Sequence, residues 1–168
     1  TGGSDKTQYM VSAGYFAQEG IIIGSNFDRL NTRLNIDSQV KDWFKVGTSI
    51  SLSRKDEKIT LQDGGDGVIS QAAQMPPHIP VRNFDGTFAG PDQQNISSQI
   101  GSNPVALALL RNNTVLNNRI MNNMYGEAQL MKGLKLRSEI AVDFGNTTNK
   151  AFIPTYQWGT LVNNTSQF

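Results

Sequence analysis

The chain has 168 residues, a formal net charge of +1 and no cysteine. Lysine and arginine are spread along the chain, which argues against a nucleic-acid-binding surface, and the lack of cysteine excludes a disulfide framework and a thiolate metal site. No apolar run approaches the roughly 20 residues of a transmembrane helix, but the alternating strands of a membrane β-barrel would show no such run either.

Five long segments alternate between apolar and polar side chains, which predicts β-strands with one apolar and one polar face. The predicted strands cover residues 6–18, 28–40, 43–55, 118–130 and 134–146. Each is roughly twice the usual strand length of about 5–6 residues. We expect them to pair in chain order as an antiparallel up-and-down meander.

The third predicted strand shows the two faces clearly. One parity carries Phe44, Val46, Ile50 and Leu52, and the other carries Ser49, Ser51 and Ser53. The apolar face of such a strand meets either a protein core or lipid, and the pattern alone does not separate the two. Length favours lipid, because a tilted strand that spans a bilayer needs about 9–11 residues.

The connections between the predicted strands differ in length. Residues 38–43 and the short segment "MKG" form tight turns, and Gly133 supplies a positive φ in the second. The first connection, "EGIIIGSNF", is about ten residues, and the third is a long loop of some sixty, from Ile59 to Asn117. Short turns at one end and long loops at the other are the layout of outer-membrane barrels.

The long loop is predicted to contain structure of its own. The segment "DGVISQAAQMPP" indicates one or two helical turns that end at Pro76. Asp85 and Gly86 indicate the turn of a small hairpin, and Asn103 followed by Pro104 indicates the start of a short helix. A structured loop of this length is usually functional or a lid.

The chain lacks a recognisable catalytic or metal-binding pattern. His78 is the single histidine, and no nucleophile motif lies near it. The segment "DGGDG", at residues 63–67, suggests a calcium loop but lacks the alternating oxygen ligands and the distal glutamate of one, so a flexible turn is the simpler interpretation. We therefore predict no enzyme, no cofactor and no metal site.

Four aromatic residues lie outside the strand pattern: Phe84, Phe88, Tyr156 and Trp158. Aromatic faces stack on sugar rings and on peptide side chains, so these four are the candidate substrate-binding residues. The alternative is that they pack within their own loops.

A series of motifs in chain order resembles one family. The series comprises "GGSDKT", "GYFAQEG" and "FDRLNTRLNIDSQVKDWFKVGTSISLS" within residues 2–53, followed by residues 74–91, 103–110 and 122–146. This series closely resembles the SusC/RagA class of TonB-dependent outer-membrane transporters from Bacteroidetes. It covers nearly the whole chain.

The resemblance implies a barrel of about 22 antiparallel strands, plugged by an N-terminal domain. It implies import of glycans or peptides across the outer membrane, energised by the TonB complex and assisted by a SusD-like surface lipoprotein that acts as a lid. Residues 1–168 would then be part of the barrel domain, with the long loop extracellular and without the plug that contacts TonB. Trp43 and Phe44 would lie in a periplasmic turn at the membrane boundary.

The main alternative is a soluble β-rich module, such as a carbohydrate-binding or adhesin-like sandwich. Strand length separates the two, because a sandwich is built from short strands of about 5–6 residues with frequent turns.

Overall fold

A computed structural model describes residues 1–60, 67–90 and 102–167. The strands are β1 (Gly2–Gly3), β2 (Thr7–Glu19), β3 (Asn26–Lys41), β4 (Phe44–Lys58), β5 (Asn112–Met131), β6 (Leu134–Phe152), β7 (Tyr156–Trp158) and β8 (Leu161–Asn163). The helices are α1 (Val68–Gln74) and α2 (Pro104–Leu110). The four longest strands have 15 to 20 residues, which confirms the predicted long strands.

Strands β1 to β6 form one sheet in chain order, and β7 and β8 form a separate hairpin. Cross-strand contacts show that neighbours run antiparallel: the hydroxyl of Thr7 lies 2.8 Å from that of Ser38, and further along β2 the hydroxyl of Tyr15 lies 2.8 Å from Asp28 of β3. The predicted meander is therefore confirmed, as an open sheet with β1 and β6 at its edges.

Both tight turns occur as predicted. Asp42 and Trp43 alone connect β3 to β4, and Lys132 and Gly133 connect β5 to β6. Gly133 has a φ of 86°, a conformation that costs glycine little because it has no Cβ.

Two predicted connections have different bounds in the structure. The connection between β2 and β3 is residues 20–25, shorter than the expected ten. The long loop ends at Arg111 rather than Asn117, because Ile59 donates a backbone hydrogen bond to Asn113 and the β4–β5 ladder continues through a polar, asparagine-rich stretch. The short strand β1 and the β7–β8 hairpin were not predicted.

The chain forms two compact units. The first, here called the sheet unit, comprises residues 1–17, 28–56 and 116–148, and the second, the loop unit, comprises residues 18–27, 57–115 and 149–168. In the sheet unit, all of whose residues the structure describes, only Gly47 is buried. This unit therefore has no dry core of its own.

The loop unit contains the buried apolar side chains of the described residues. Ala106, Leu107 and Trp158 form its core, and five half-buried apolar side chains pack against them: Val68, Phe88, Leu110, Tyr156 and Leu161. The β7–β8 hairpin thus packs with helices α1 and α2 in one small hydrophobic cluster. Gly90 permits this, because a Cβ at that position would lie 2.8 Å from the Cβ of Trp158.

Helix α2 begins as the sequence indicates. The side-chain oxygen of Asn103 accepts hydrogen bonds from the backbone N–H groups of Val105 and Ala106, both at 3.1 Å. Its amide nitrogen donates to the carbonyl oxygens of Val81 and Ala89, both at 2.8 Å. Asn103 is almost completely buried and therefore both caps α2 and fixes the 82–88 hairpin segment beside it.

Candidate functional site

The polar face of the sheet unit consists of alternate residues of β3, β4, β5 and β6, paired across neighbouring strands. Asn35 accepts a hydrogen bond of 2.8 Å from the Ser49 hydroxyl. Ion pairs join Lys45 to Asp37 at 3.9 Å, Lys135 to Glu127 at 3.1 Å, and Arg119 to Asp143 through two nitrogen–oxygen contacts. Opposite charges on neighbouring strands favour this register, although each exposed pair contributes little to stability.

Tyr125 is the centre of this face. Its hydroxyl donates to Asp37, two strands away, and the guanidinium of Arg137 lies 4.1 Å from the centroid of its ring. The ring covers Gly47, since a Cβ on Gly47 would lie 2.6 Å from Tyr125 Cζ. Tyr125 therefore connects β3, β4, β5 and β6 by contacts of three different kinds.

Tyr125 is not among the site residues predicted from the sequence. The available signal was an aromatic residue on the polar parity of β5, with a glycine on the polar parity of β4. Without the β4–β5 register, however, nothing in the sequence places Tyr125 over Gly47 rather than over Lys45 or Ser49.

A cleft of about 680 Å³ lies on the polar face. Its lining includes two arginines, two aspartates, asparagines and small hydroxyls, among them Arg33, Asn35, Ser49, Ser51, Asn123 and Asp143. Such a surface is wet and rich in hydrogen-bond donors and acceptors, which suits contact with water or a polar solute rather than with a protein core.

The opposite face of the sheet unit is apolar and uncovered. Large side chains stand on it with about half of their surface exposed or more, including Leu30 (46%), Leu52 (44%), Leu136 (59%), Ile140 (66%) and Val142 (55%). A contiguous apolar surface of this kind marks contact with another apolar phase, either a protein or a membrane.

The four predicted loop aromatics occupy different environments. Trp158 is 2% exposed and stacks on Tyr156 with ring centroids 3.9 Å apart, inside the core of the loop unit. Phe88 packs against the same core, and the guanidinium of Arg82 lies 4.1 Å from its ring centroid. Phe84 is fully exposed. The role of these four in substrate binding stays a prediction, and Phe84 is the one whose ring is open to a ligand.

The hairpin that presents Phe84 turns at Asp85 and Gly86, as predicted, and it is held by side chains. Arg82 donates to the carbonyl of Gly86 at 2.7 Å. The hydroxyl and the backbone N–H of Thr87 donate to Asp85 at 2.6 and 2.9 Å, which holds the pKa of this carboxyl below its usual value. Phe84 is thus held on a pre-ordered turn.

Two other sequence candidates are His78 and the possible calcium loop. His78 is exposed in a turn after α1. Most of the possible calcium loop, residues 63–66, lies outside the described residues. Among the residues that are described, no group of three or more histidine, aspartate or glutamate side chains is placed to hold a metal ion. No described helix is long and apolar enough to cross a membrane.

A long-stranded antiparallel meander with one wet, ion-paired face and one uncovered apolar face defines the class of the protein. These are the features of a wall segment of a membrane β-barrel.

Comparisons with known proteins show similarity to TonB-dependent receptors. The chain is 33% identical over 161 residues to TonB-dependent receptor P3 of Formosa agariphila and 28% identical over 152 residues to TonB-dependent receptor P26 of the same organism. These matches cover 92% and 90% of this chain but only 16% and 15% of the relatives. The chain thus spans about a sixth of the length of the curated relatives it matches. A scan against protein-family models finds no match.

Solved structures agree with these relatives. The RagAB peptide importer in its "open-open" state matches with a TM-score of 0.72 at 25% identity, over 94% of this chain and 18% of that one. In its "closed-closed" state it matches with a TM-score of 0.69 at 25% identity, over 90% of this chain and 17% of that one. In sequence and in fold, the chain is therefore similar to a segment of the TonB-dependent receptors and of RagAB. The relatives and solved structures that it matches are named as receptors and as a peptide importer.

Proposed function

We propose that this segment forms part of the barrel wall of a TonB-dependent importer in the bacterial outer membrane, with its apolar face toward lipid and its polar face toward the lumen. The observation that carries the proposal is the contrast between the two faces of the sheet unit. Ion pairs and the Tyr125 cluster occupy one face, and half-exposed leucine, isoleucine and valine side chains occupy the other.

The proposed cargo is a glycan or a peptide, taken up with a SusD-like surface lipoprotein and energised by the TonB complex through a plug domain elsewhere in the receptor. The RagAB structures are named as a peptide importer, which supports the peptide option and a two-component assembly. The long loop, residues 59–111, would be extracellular, and Phe84 would be its substrate contact.

The soluble-module alternative is disfavoured by strand length. A sandwich is built from strands of about 5–6 residues, whereas β5 and β6 have 20 and 19.

The face assignment can be tested with adjacent substitutions in β3 of the receptor that contains this segment. We expect Leu34→Arg to lower the stability of the folded barrel by about 2–4 kcal/mol, the cost of arginine on the lipid face near the bilayer midplane. Asn35→Arg should cost much less, because the neighbouring position faces water. Urea titration in lipid vesicles, followed by heat-modifiable gel mobility, measures both values.

Residues 34 and 35 lie in the same strand, so a general intolerance of β3 to bulk would affect both variants. Equal losses of folded barrel in the two variants would contradict the assignment. A larger loss for Asn35→Arg would reverse it.

A further inference from the structure

The cleft of about 680 Å³ on the polar face is lined by four charged side chains: Arg33, Asp37, Arg137 and Asp143. Three of them have partners on the same face, which are Lys45 for Asp37, Glu139 for Arg137 and Arg119 for Asp143. Arg33 differs from these three. It is exposed, and among the described residues it has no ion pair, hydrogen bond or ring contact.

The polar face has no carboxylate left to pair with Arg33. Within the sheet unit, the polar parity of β3 to β6 carries four carboxylates, and each lies within 4.0 Å of a lysine or arginine other than Arg33: Asp37, Glu127, Glu139 and Asp143. Two more cations, Arg29 and Lys55, continue this parity, but neither lines the cleft. The guanidinium of Arg29 lies 5.9 Å from the centroid of the Phe16 ring. The face therefore carries surplus positive charge, and inside the cleft that surplus is Arg33.

Neutral hydrogen-bond donors line the same cleft. Ser51 of β4 and Asn123 of β5 have no side-chain hydrogen bond among the described residues, whereas Ser49 already donates to Asn35. A guanidinium presents its N–H groups as a planar fork that matches the two oxygens of a carboxylate. A hydroxyl and an amide N–H can donate to the remaining lone pairs of those oxygens. The free donors in the cleft therefore suit a carboxylate ligand.

The aromatic content of the cleft favours a carboxylate on a polypeptide over one on a sugar acid. Sugar rings stack on aromatic faces, and Tyr125 is the one aromatic residue among the described residues that line the cleft. Its ring already packs on Gly47, and the guanidinium of Arg137 lies 4.1 Å from its centroid. A ring engaged in this way is a poor platform for a sugar, whereas a peptide carboxylate needs only the donors around Arg33.

We propose that this cleft binds a carboxylate of a polypeptide through Arg33, with Ser51 and Asn123 as additional donors. This step rests on the proposed function, in which the polar face lines the lumen of the barrel. Two sources can bring such a carboxylate into the lumen. One is an acidic residue of a peptide cargo, and the other is an acidic residue of another segment of the receptor, such as its plug domain.

The first arm of the test examines a peptide cargo. The full receptor that contains this segment is purified in detergent and titrated by calorimetry with two capped pentapeptides, Ala-Ala-Glu-Ala-Ala and Ala-Ala-Gln-Ala-Ala. If the cargo supplies the carboxylate, the glutamate peptide binds about tenfold more tightly, the size expected for one hydrogen bond to a charged group. Arg33→Gln should then remove the difference between the two peptides.

The second arm examines a segment of the receptor itself, without added peptide. If that segment supplies the carboxylate, Arg33→Gln leaves it less firmly held inside the barrel. Ion conductance across a planar bilayer that contains the receptor should then appear at a lower urea concentration in Arg33→Gln than in the unsubstituted receptor. A change in one arm alone identifies the source of the carboxylate.

Lys55→Gln is the matched control for both arms. It removes one positive charge from the same face of the sheet unit, and Lys55 also has no ion pair among the described residues but does not line the cleft. It should leave the difference between the two peptides and the onset of conductance unchanged. Heat-modifiable gel mobility of each variant shows whether the barrel is folded.

Three outcomes would overturn the proposal. The first is that Arg33→Gln changes neither arm, and the second is that Lys55→Gln has the same effect as Arg33→Gln. The third is Arg33-dependent binding of trigalacturonate, a sugar acid, with no effect in either arm. A failure here is distinguishable from a failure of the proposed function, because the comparison of Leu34→Arg with Asn35→Arg measures which face meets lipid without reference to Arg33.

Discussion

Gly47 and Tyr125 show how a single missing side chain organises the polar face. Gly47 is the one buried residue of the sheet unit, and what buries it is the ring of Tyr125 from the neighbouring strand. With no Cβ in the way, the ring extends across β4 and its hydroxyl reaches Asp37 on β3. An aromatic ring over a strand glycine also compensates for the packing that the glycine itself lacks.

We predict that Gly47→Ala destabilises the folded barrel by about 1–3 kcal/mol, the usual cost of forcing an extra group into a filled site. The new Cβ would lie 2.6 Å from both Tyr125 Cζ and Asp37 Oδ1, so the ring must move and its hydrogen bond to Asp37 must break. Urea unfolding of the receptor in lipid vesicles measures the loss.

Gly14→Ala is the control for this substitution, because Gly14 also lies in a long strand but a Cβ there would have no neighbouring atom within 4 Å. It should be neutral or slightly stabilising, since alanine has less conformational freedom than glycine to lose on folding. If the two variants lost equal stability, the cause would be the strand glycine itself, and the proposed role of Tyr125 would be wrong.

At the scale of elements, the strands and helices that were predicted correctly are those whose sequence signal lies within a few neighbouring residues. Alternation with a period of two is local, so all five long strands were found. The start of α2 was found because Asn103 and Pro104 are adjacent and act on the next few residues. The β7–β8 hairpin was missed because its three-residue strands are too short to show a period.

The loop aromatics illustrate the same limit at the candidate site. The sequence shows that Trp158 lies outside the long strands but not that α2, far away in sequence, supplies the apolar cluster around it. Likewise, the exposure of Phe84 depends on a turn that side-chain hydrogen bonds hold within residues 82–87. The sequence predicts the hairpin but not these hydrogen bonds. Burial depends on distant contacts and is therefore the least predictable property of these residues.

Asn103 is a buried polar residue of the loop unit that joins the start of α2 to Val81 and Ala89. We predict that Asn103→Ala loosens the loop unit, because the change removes the cap of α2 and leaves the buried carbonyl of Ala89 without its donor. The expected cost is about 1–3 kcal/mol for the lost buried hydrogen bonds. Limited proteolysis of the folded receptor, with cleavage mapped to residues 67–90 and 102–111, measures the loosening.

Asn164→Ala is the matched control, since Asn164 is an exposed asparagine of the same unit. Cleavage of that variant should occur at the rate of the unsubstituted receptor. Unchanged cleavage in Asn103→Ala would show that the core around Leu107 and Trp158 holds the loop unit without the asparagine.

At the scale of the whole molecule, the sheet unit lacks the buried apolar core that stabilises an independent domain. Its apolar side chains are not covered by any second layer within the unit, so in water they would remain exposed to solvent. Its outer strands are paired on one side only: among the described residues no strand lies beyond β6 in the sheet, and β1 pairs only with the start of β2. An unpaired long strand presents a row of backbone donors and acceptors to any other strand.

The chain of 168 residues by itself should therefore not behave as a soluble monomer. Two sources of association act together: the outer edge of β6, which is the last strand of the described sheet, and the apolar face that includes Ile140 and Val142. We expect the isolated chain, refolded without detergent, to form oligomers or aggregates at micromolar concentration, as measured by light scattering. Detergent micelles should reduce the association, because they cover the apolar face, although they leave the strand edges unpaired. A monodisperse monomer of about 18.4 kDa with a cooperative thermal transition would show that the loop unit or another rearrangement covers the apolar face.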